Sequence, residues 1–128
     1  MFWKKKNTYQ ITHISDANFN DLVAKSPVPV LIDFYADWCG PCKILAPFIE
    51  ELAEEYEGRA LVAKVNTEHN PALSQHFKIK SIPTIMFFNK GQAVERFKGL
   101  IPKPNLEEIL DHYINENAKL IDLTEEEE

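Results

Sequence analysis

Two nearly continuous apolar runs, residues 30–36 and residues 60–66, predict buried strands. Both contain β-branched residues and few polar ones, which is typical of strands covered on both faces. Between them, apolar residues recur every three or four positions from Pro41 until Gly58 ends the pattern, which predicts a long amphipathic helix. Its apolar positions are Ile44, Leu45, Phe48, Ile49, Leu52 and Ala53. Strand, helix and strand in this order predict a right-handed βαβ unit with parallel strands.

Short helices are predicted before the first strand and after the second. Residues 15–18, Ser-Asp-Ala-Asn, are suited to cap the start of a helix. The i, i+3, i+4 spacing of Phe19, Leu22 and Val23 gives that helix one apolar face. The other short helix is predicted to begin after an Asn-Pro pair and to extend through Phe77.

A β-hairpin and a final helix complete the predicted fold. Residues 85–88 and residues 93–97 flank a turn that contains Gly91, which predicts two antiparallel strands. The final helix is indicated by the spacing of Leu106, Ile109, Leu110, Tyr113 and Ile114. The pattern therefore predicts an α/β fold with a central mixed sheet of four to five strands and helices on both faces. We expect residues 119–128 to be a frayed end.

Composition and charge narrow the function classes. A chain of 128 residues that is 45% hydrophobic is long enough for one core, which favours a single domain. The net charge of -6 argues against a protein that tracks nucleic-acid phosphates. The last four residues are all glutamates, so the rest of the chain is nearly neutral. Because no apolar stretch has the length of a membrane span or secretory signal, we expect a cytoplasmic protein that binds neither membranes nor nucleic acids.

The two cysteines, Cys39 and Cys42, lie where the first predicted strand gives way to the long helix. A bridge between them closes too small a loop to stabilise the fold much. The free N–H groups and partial positive charge of a helix start would instead stabilise a thiolate at Cys39. Cys42, about one turn further on, is within disulfide reach and more enclosed. The pair therefore predicts thiol-disulfide exchange, with Cys39 attacking a partner's disulfide and Cys42 releasing the partner.

The chain resembles the thioredoxin family. Its segment Trp38-Cys39-Gly40-Pro41-Cys42 matches the family's active-site motif residue for residue. Further matching positions are Phe19, residues 33–36, Pro47, residues 62–66, residues 82–84, Gly91 and Gly99. The resemblance covers about residues 8–117 and leaves residues 1–7 as an N-terminal extension and residues 118–128 as an acidic C-terminal tail. It implies a thioredoxin fold and a protein-disulfide reductase that acts as an electron carrier.

Asp33 interrupts an otherwise apolar strand, where a carboxylate is costly unless it is paired or protonated. The resemblance implies that Asp33 is buried beneath Cys42, exchanges a proton with it and is paired with Lys64. We expect burial to raise the pKa of Asp33 by more than Lys64 lowers it.

The resemblance also implies a binding surface for partners. An X-Pro bond is trans by default, but the family pattern implies a cis bond between Ile82 and Pro83. The implied partner-binding residues, here called the rim, are Trp38, Gly40, Pro41, Ile82, Pro83 and Gly99. Partners implied by the family are thioredoxin reductase, which supplies electrons from NADPH, and proteins that contain disulfides. We expect a monomer with no bound cofactor and no metal.

Three residues depart from the family pattern. Tyr35 stands where many thioredoxins have tryptophan, a change we expect to alter the chemistry little. Lys98 occupies a position that is usually apolar at the edge of the rim, which predicts a bias toward acidic partners. Pro102 replaces the usual cap of the last helix, so we expect that helix to start near Pro104 or Asn105.

The sequence disfavours three other functions. A Cys-x-x-Cys pair is also half of a zinc site, but the other candidate ligands, His13, His69, His76 and His112, are remote in sequence. An oxidase or isomerase is less favoured, because such relatives usually have histidine in place of Pro41. A binding module that uses the fold as a scaffold would not need Cys39, Cys42, Asp33 and Pro83 together.

Overall fold

A mixed sheet crosses the middle of the molecule in the computed structural model, which describes the backbone of residues 9–126 and the side chains of residues 9–121. The five strands found in this range are β1 (Thr12–His13), β2 (Val30–Tyr35), β3 (Leu61–Asn66), β4 (Thr84–Asn89) and β5 (Gln92–Lys98). Their order in the sheet is β1-β3-β2-β4-β5, so β2 is central. β3 is parallel to β1 and β2, while β4 is antiparallel to β2 and β5.

Helices cover both faces of the sheet. They are a short π-helix (Asn20–Ala24), α1 (Gly40–Glu55), α2 (Pro71–His76) and α3 (Lys103–Glu126). α1 and α3 pack on one face, where residues such as Leu45 and Leu106 share a core with the strands. The π-helix and α2 cover the other face through Val23 and Leu73. The predicted fold class, the parallel βαβ unit and the hairpin are confirmed.

Alternation along β2 decides which side chains face α1. Leu31 packs into the core beneath α1, whereas Ile32 and Phe34 point into the core on the opposite face. Because successive side chains of a strand point to opposite faces, Asp33 and Tyr35 lie on the same side as Leu31. The central strand therefore directs a carboxylate and a phenol toward the helix that begins at the cysteines.

Three predicted apolar positions are exposed. Leu22 is exposed because the first helix has i→i+5 hydrogen bonds, such as Lys25 N–H to Asn20 O at 3.1 Å, and its wider turn keeps Val23 but not Leu22 facing inward. Ile44 and Phe48 are exposed because the buried stripe of α1 follows Leu45 and Ile49, each one residue further on. The apolar face of α1 is therefore narrower than the sequence pattern indicates.

The predicted cap before the first helix serves a different helix. The Asp16 carboxylate accepts hydrogen bonds from the N–H groups of Ala72 and Leu73, at 3.2 and 2.9 Å, and so caps α2. The Asp16 N–H donates to the Asn70 side chain at 2.9 Å. The side chains of Ser15 and Asn18 accept from each other's backbone N–H groups rather than from the N–H groups of the π-helix. A cap across the fold cannot be distinguished by sequence from a local one.

The last helix is longer than predicted at both ends. It begins at Lys103, one residue before the predicted start, with the Pro102 carbonyl accepting from Asn105 N–H at 3.0 Å. It continues to Glu126, so the prediction of a frayed end from residue 119 was wrong as far as residue 126. Leu, Glu, Lys and Ala are strong helix formers and extend the helix beyond its packed part. The predicted N-terminal extension, residues 1–7, lies outside the described residues.

Candidate active site

The two cysteines lie at the junction of β2 and α1. Cys39 is the residue that caps α1, and its Sγ accepts a hydrogen bond from the Cys42 N–H at 3.2 Å. Pro41 stands in the first turn, where a missing N–H costs no helical hydrogen bond. Cys39 and Cys42 form a disulfide with Cα atoms 5.3 Å apart. The predicted difference in enclosure is not present, because the two residues are 4% and 3% exposed.

The surroundings of Cys39 favour a negative charge on its sulfur. The N–H of Cys42, in the first turn of α1, donates to this sulfur, and that turn contains no acidic residue. A thiolate formed at Cys39 on reduction is therefore stabilised relative to the thiol.

Two loops meet beside Cys39. The Ile82-Pro83 peptide bond is cis, as predicted. The Ile82 carbonyl oxygen lies 3.8 Å from Cys39 Sγ, and the Pro83 carbonyl accepts from Gly99 N–H at 2.9 Å. The structure thus brings Cys39, Ile82, Pro83 and Gly99 together.

The other rim residues surround the disulfide on the α1 side. Trp38, Gly40 and Pro41 are exposed, and Trp38 is 68% exposed despite its large indole. The indole N–H of Trp38 donates to the Glu68 carboxylate. Glu68 was missed by sequence reasoning, because an exposed glutamate thirty residues away gives no signal. Apart from its chain neighbours and the backbone of its own helix, no atom of the described residues lies within 4 Å of a Cβ built on Gly40, so the space above it is open.

An apolar groove continues this surface along α1. Its volume is about 220 Å³, and it is lined by Ile44, Leu45, Phe48, Leu100, Ile101 and Pro102. Ile44 and Leu100 are both more than half exposed. Lys98 is also exposed, at the end of β5 next to the loop that contains Gly99.

Asp33 is fully buried on the α1 side of the sheet. Neither of its carboxylate oxygens has a hydrogen-bond partner within the described part of the chain. Burial raises the pKa of Asp33 to about 7, while the positive charge of Lys64 lowers it by a smaller amount. The direction predicted from the sequence is therefore the one found.

Lys64 does not make the predicted direct pair with Asp33. The two residues are register partners on β3 and β2, but no ion pair within 4.0 Å joins them. The Lys64 Nζ lies instead 4.4 Å from the centre of the Tyr35 ring. A shallow cavity of about 150 Å³ beside this pair is lined by Tyr35, Ala36, Asp37, Cys42, Lys43, Ala46 and Lys64.

A metal centre finds no support among the described side chains. Within residues 9–121, no three His, Cys, Asp or Glu side chains lie together so that they could hold a metal ion. The four histidines are all exposed and are not at the disulfide. Within the same range, no helix is both long and apolar enough to cross a membrane.

Comparison with known proteins identifies the family of this chain. The family model described as Thioredoxin matches residues 10–112. The chain belongs to the thioredoxin family. It is 45% identical over 101 residues to Thioredoxin 1 of Nostoc sp., which covers 79% of this chain and 94% of the relative. It is 40% identical over 105 residues to the thioredoxin of Haemophilus influenzae, covering 82% and 98%.

A chloroplastic relative extends the comparison. The chain is 41% identical over 106 residues to Thioredoxin M-type, chloroplastic, of Spinacia oleracea, covering 83% of this chain and 59% of that protein. As a thioredoxin with an intact Trp-Cys-Gly-Pro-Cys motif, the chain is a thiol-disulfide oxidoreductase, and Cys39–Cys42 is its redox-active centre. It reduces disulfides of partner proteins by dithiol-disulfide exchange through a mixed disulfide.

Proposed function

We propose that this thioredoxin is a general protein-disulfide reductase in which Cys39 attacks the partner and Cys42 resolves the mixed disulfide. The observation that carries this division is the position of Cys39 Sγ at the start of α1, where the Cys42 N–H donates to it. Negative charge is best stabilised at that end of the helix. Cys42 lies inside the first turn and can reach the Cys39 sulfur without any movement of the backbone.

The proposed cycle moves two electrons to the partner. The Cys39 thiolate bonds to one sulfur of the partner's disulfide, and the other sulfur leaves as a thiolate. Cys42 then loses its proton and bonds to the Cys39 sulfur, which releases the first partner sulfur as a thiolate. Both partner thiolates take up protons, and the chain is left with the Cys39–Cys42 disulfide.

We propose that Asp33 accepts the proton that Cys42 loses. The support is that Asp33 lies buried on the face of the sheet beneath α1, that its oxygens have no hydrogen-bond partner among the described residues, and that its pKa is raised to about 7. A group with that pKa can both accept and return a proton at neutral pH. Lys64 acts on Asp33 through its nearby charge rather than through contact.

We propose that partner proteins bind at the rim formed by Trp38, Gly40, Pro41, Ile82, Pro83 and Gly99. Ile82 lies two residues before the paired part of β4, so its backbone stands outside the sheet ladder. An extended partner segment can therefore pair with it, in the manner of strand addition. The open space above Gly40 allows the partner's backbone to approach the disulfide.

The electron source and the compartment are also proposals. We propose that a thioredoxin reductase recharges Cys39–Cys42 with electrons from NADPH, that the chain works as a monomer and that it acts in the cytoplasm. A dithiol reductase needs a reducing compartment, which the cytoplasm supplies. Because some relatives are named chloroplastic, cell fractionation with an antibody to the protein tests this assignment.

A coupled assay tests the proposed electron path. Reduction of insulin disulfides is expected to require the thioredoxin, NADPH and a thioredoxin reductase together, and the measured redox potential is expected to be more reducing than that of glutathione. Omission of either NADPH or the reductase is the control. Turnover driven equally well by glutathione, or a potential in the range of an oxidase, would contradict the proposal.

Lys98 is expected to favour acidic partners through the rate of association. With a disulfide peptide whose flanking residues are acidic, Lys98→Gln is expected to lower the association rate about two- to threefold at low salt, because one attractive charge is lost. The difference should vanish at high salt. Lys119→Gln, an exposed lysine on α3, is the control. Equal salt dependence in the Lys98 variant and the parent would show that Lys98 does not steer partners.

A further inference from the structure

Lys64 has two possible partners on the neighbouring strand. Asp33 and Tyr35 are two residues apart on β2 and therefore point to the same face. Lys64 is the register partner of Asp33 on β3, so its side chain extends over the same face and can turn toward either the carboxylate or the ring. In the structure Lys64 contacts the Tyr35 ring, and its Nζ lies 4.4 Å from the ring centre. This distance is within the range of a cation–π interaction.

Because Lys64 contacts the Tyr35 ring, the Asp33 carboxyl group has no partner among the described residues. Asp33 is buried, and its two oxygens make no hydrogen bond to any described residue. The ammonium group of its register partner on the neighbouring strand would ordinarily be drawn to such a group. The contact between Lys64 and the Tyr35 ring therefore competes with an Asp33–Lys64 ion pair. Both residues also line the same cavity.

We propose that Tyr35 is a positioning residue, which holds the Lys64 ammonium away from Asp33 and so keeps the Asp33 side chain free to exchange a proton. This inference rests on the proposed role of Asp33 and adds a residue to it. Tyr35 touches neither the partner nor the reacting sulfurs in the proposed cycle. Its aromatic ring, rather than its hydroxyl, is what carries the role.

A direct ion pair with Lys64 would lower the pKa of Asp33. Burial raises the pKa of Asp33 to about 7, and Lys64 at its present position only partly offsets this. An opposite charge in contact lowers a carboxyl pKa by about 1–3 units. Asp33 would then be a weaker acceptor for the Cys42 proton and, being ionised at neutral pH, could not return it.

The other neighbours of Asp33 offer no competing charge. β4 presents Ile85 as the register partner of Asp33, and α1 contributes Cys42, which is held in the disulfide. Tyr35 is the titratable neighbour on its own strand, and β3 contributes Lys64. Asp37 lies further along at the exposed side of the cavity. Among the described residues, Lys64 is the charged group that shifts the pKa of Asp33.

A titration of Asp33 by carbon-detected NMR tests the inference without any turnover. Tyr35→Leu is expected to lower the pKa of Asp33 by about one unit, because the released ammonium moves toward the carboxylate. Tyr35→Phe, which keeps the ring, is expected to leave that pKa unchanged. Replacing position 35 with 3,5-difluorophenylalanine, which keeps the shape but weakens the attraction of the ring face, is expected to give an intermediate decrease.

The same substitution in a second variant distinguishes an effect that acts through Lys64 from an effect of water. Tyr35→Leu could lower the same pKa simply by letting water reach Asp33, so the substitution is repeated in a Lys64→Met chain. If Tyr35 acts through Lys64, the shift is expected to fall below about a third of its size in this background. A shift of equal size in both backgrounds, or no shift in either, would overturn the inference. The role of Asp33 in proton transfer is tested separately by Asp33→Asn, so the two failures can be told apart.

Discussion

Cys42→Ser is expected to stop the reaction halfway and to leave the partner covalently attached to Cys39. Serine fits the same space at the start of α1 but cannot displace a sulfur, so the mixed disulfide accumulates. Turnover in the insulin assay should be lost. The adduct should appear on a non-reducing gel and in the intact mass, and it should disappear with dithiothreitol.

The matched control is Cys39→Ser. This variant is expected to lose turnover as well but to form no adduct, because Cys42 lies inside the first turn and does not cap the helix. Adducts formed by Cys39→Ser and not by Cys42→Ser would reverse the proposed order of attack. Full turnover in either variant would mean that disulfide reduction does not use both cysteines.

Asp33→Asn is expected to slow the release of the partner and to change its pH dependence. Loss of a general base costs on the order of 100-fold, and the mixed disulfide should be longer-lived by that factor near neutral pH. In the parent, the rate of release should rise with pH through an inflection near 7, the pKa of Asp33. Stopped-flow measurement of the second step from pH 5 to pH 9 checks both effects, and an unchanged profile would remove Asp33 from the mechanism.

The same substitution is expected to change stability in a pH-dependent way. The pKa of Asp33 is raised to about 7 in the folded chain from the ordinary aspartate value of 3.8, so between these values the folded state binds more protons than the unfolded state. The free energy of unfolding of the parent therefore falls as pH rises through this window, by up to about 4 kcal/mol. Asp33→Asn, which cannot ionise, should be relatively more stable at pH 8, and the advantage should fade toward pH 4.

Urea denaturation of the oxidised protein at several pH values measures this effect. Asp21→Asn is the control, because Asp21 is exposed and its ion pair within the described part of the chain is with Lys25, which is exposed as well. A stability difference that did not depend on pH would show that Asp33 is not a buried, protonatable group in solution.

The strands and the cysteine junction could be predicted because burial leaves a strong pattern. β2 and β3 are covered on both faces and so consist mostly of apolar residues, and the change of period at Pro41 locates the helix that follows Cys39. β1 has only two residues, too few for any periodicity, and it was missed. The alternation of β2 also places Asp33 opposite α1 once the fold is known.

Contacts between distant segments could not be predicted from local pattern. The Asp16 cap of α2, the Trp38–Glu68 hydrogen bond and the Lys64–Tyr35 contact each join residues far apart in sequence. The Asp33–Lys64 pair was implied by the family resemblance, and the sequence pattern does not tell which of two neighbouring groups the Lys64 ammonium contacts. The cis bond before Pro83 came from the family resemblance, since the residues themselves favour trans.

At Gly40, the requirements of folding and the requirements of partner binding can be considered separately. No neighbour among the described residues would meet a side chain there, and the backbone is not in the conformation that requires glycine. Alanine would even be the better residue for a helix. The chain itself thus has no reason to keep glycine at this position, and any selection for it comes from the molecules that must reach the disulfide. Position 40 is therefore a place where evolution or design can change which partners are admitted without altering the folding of the protein.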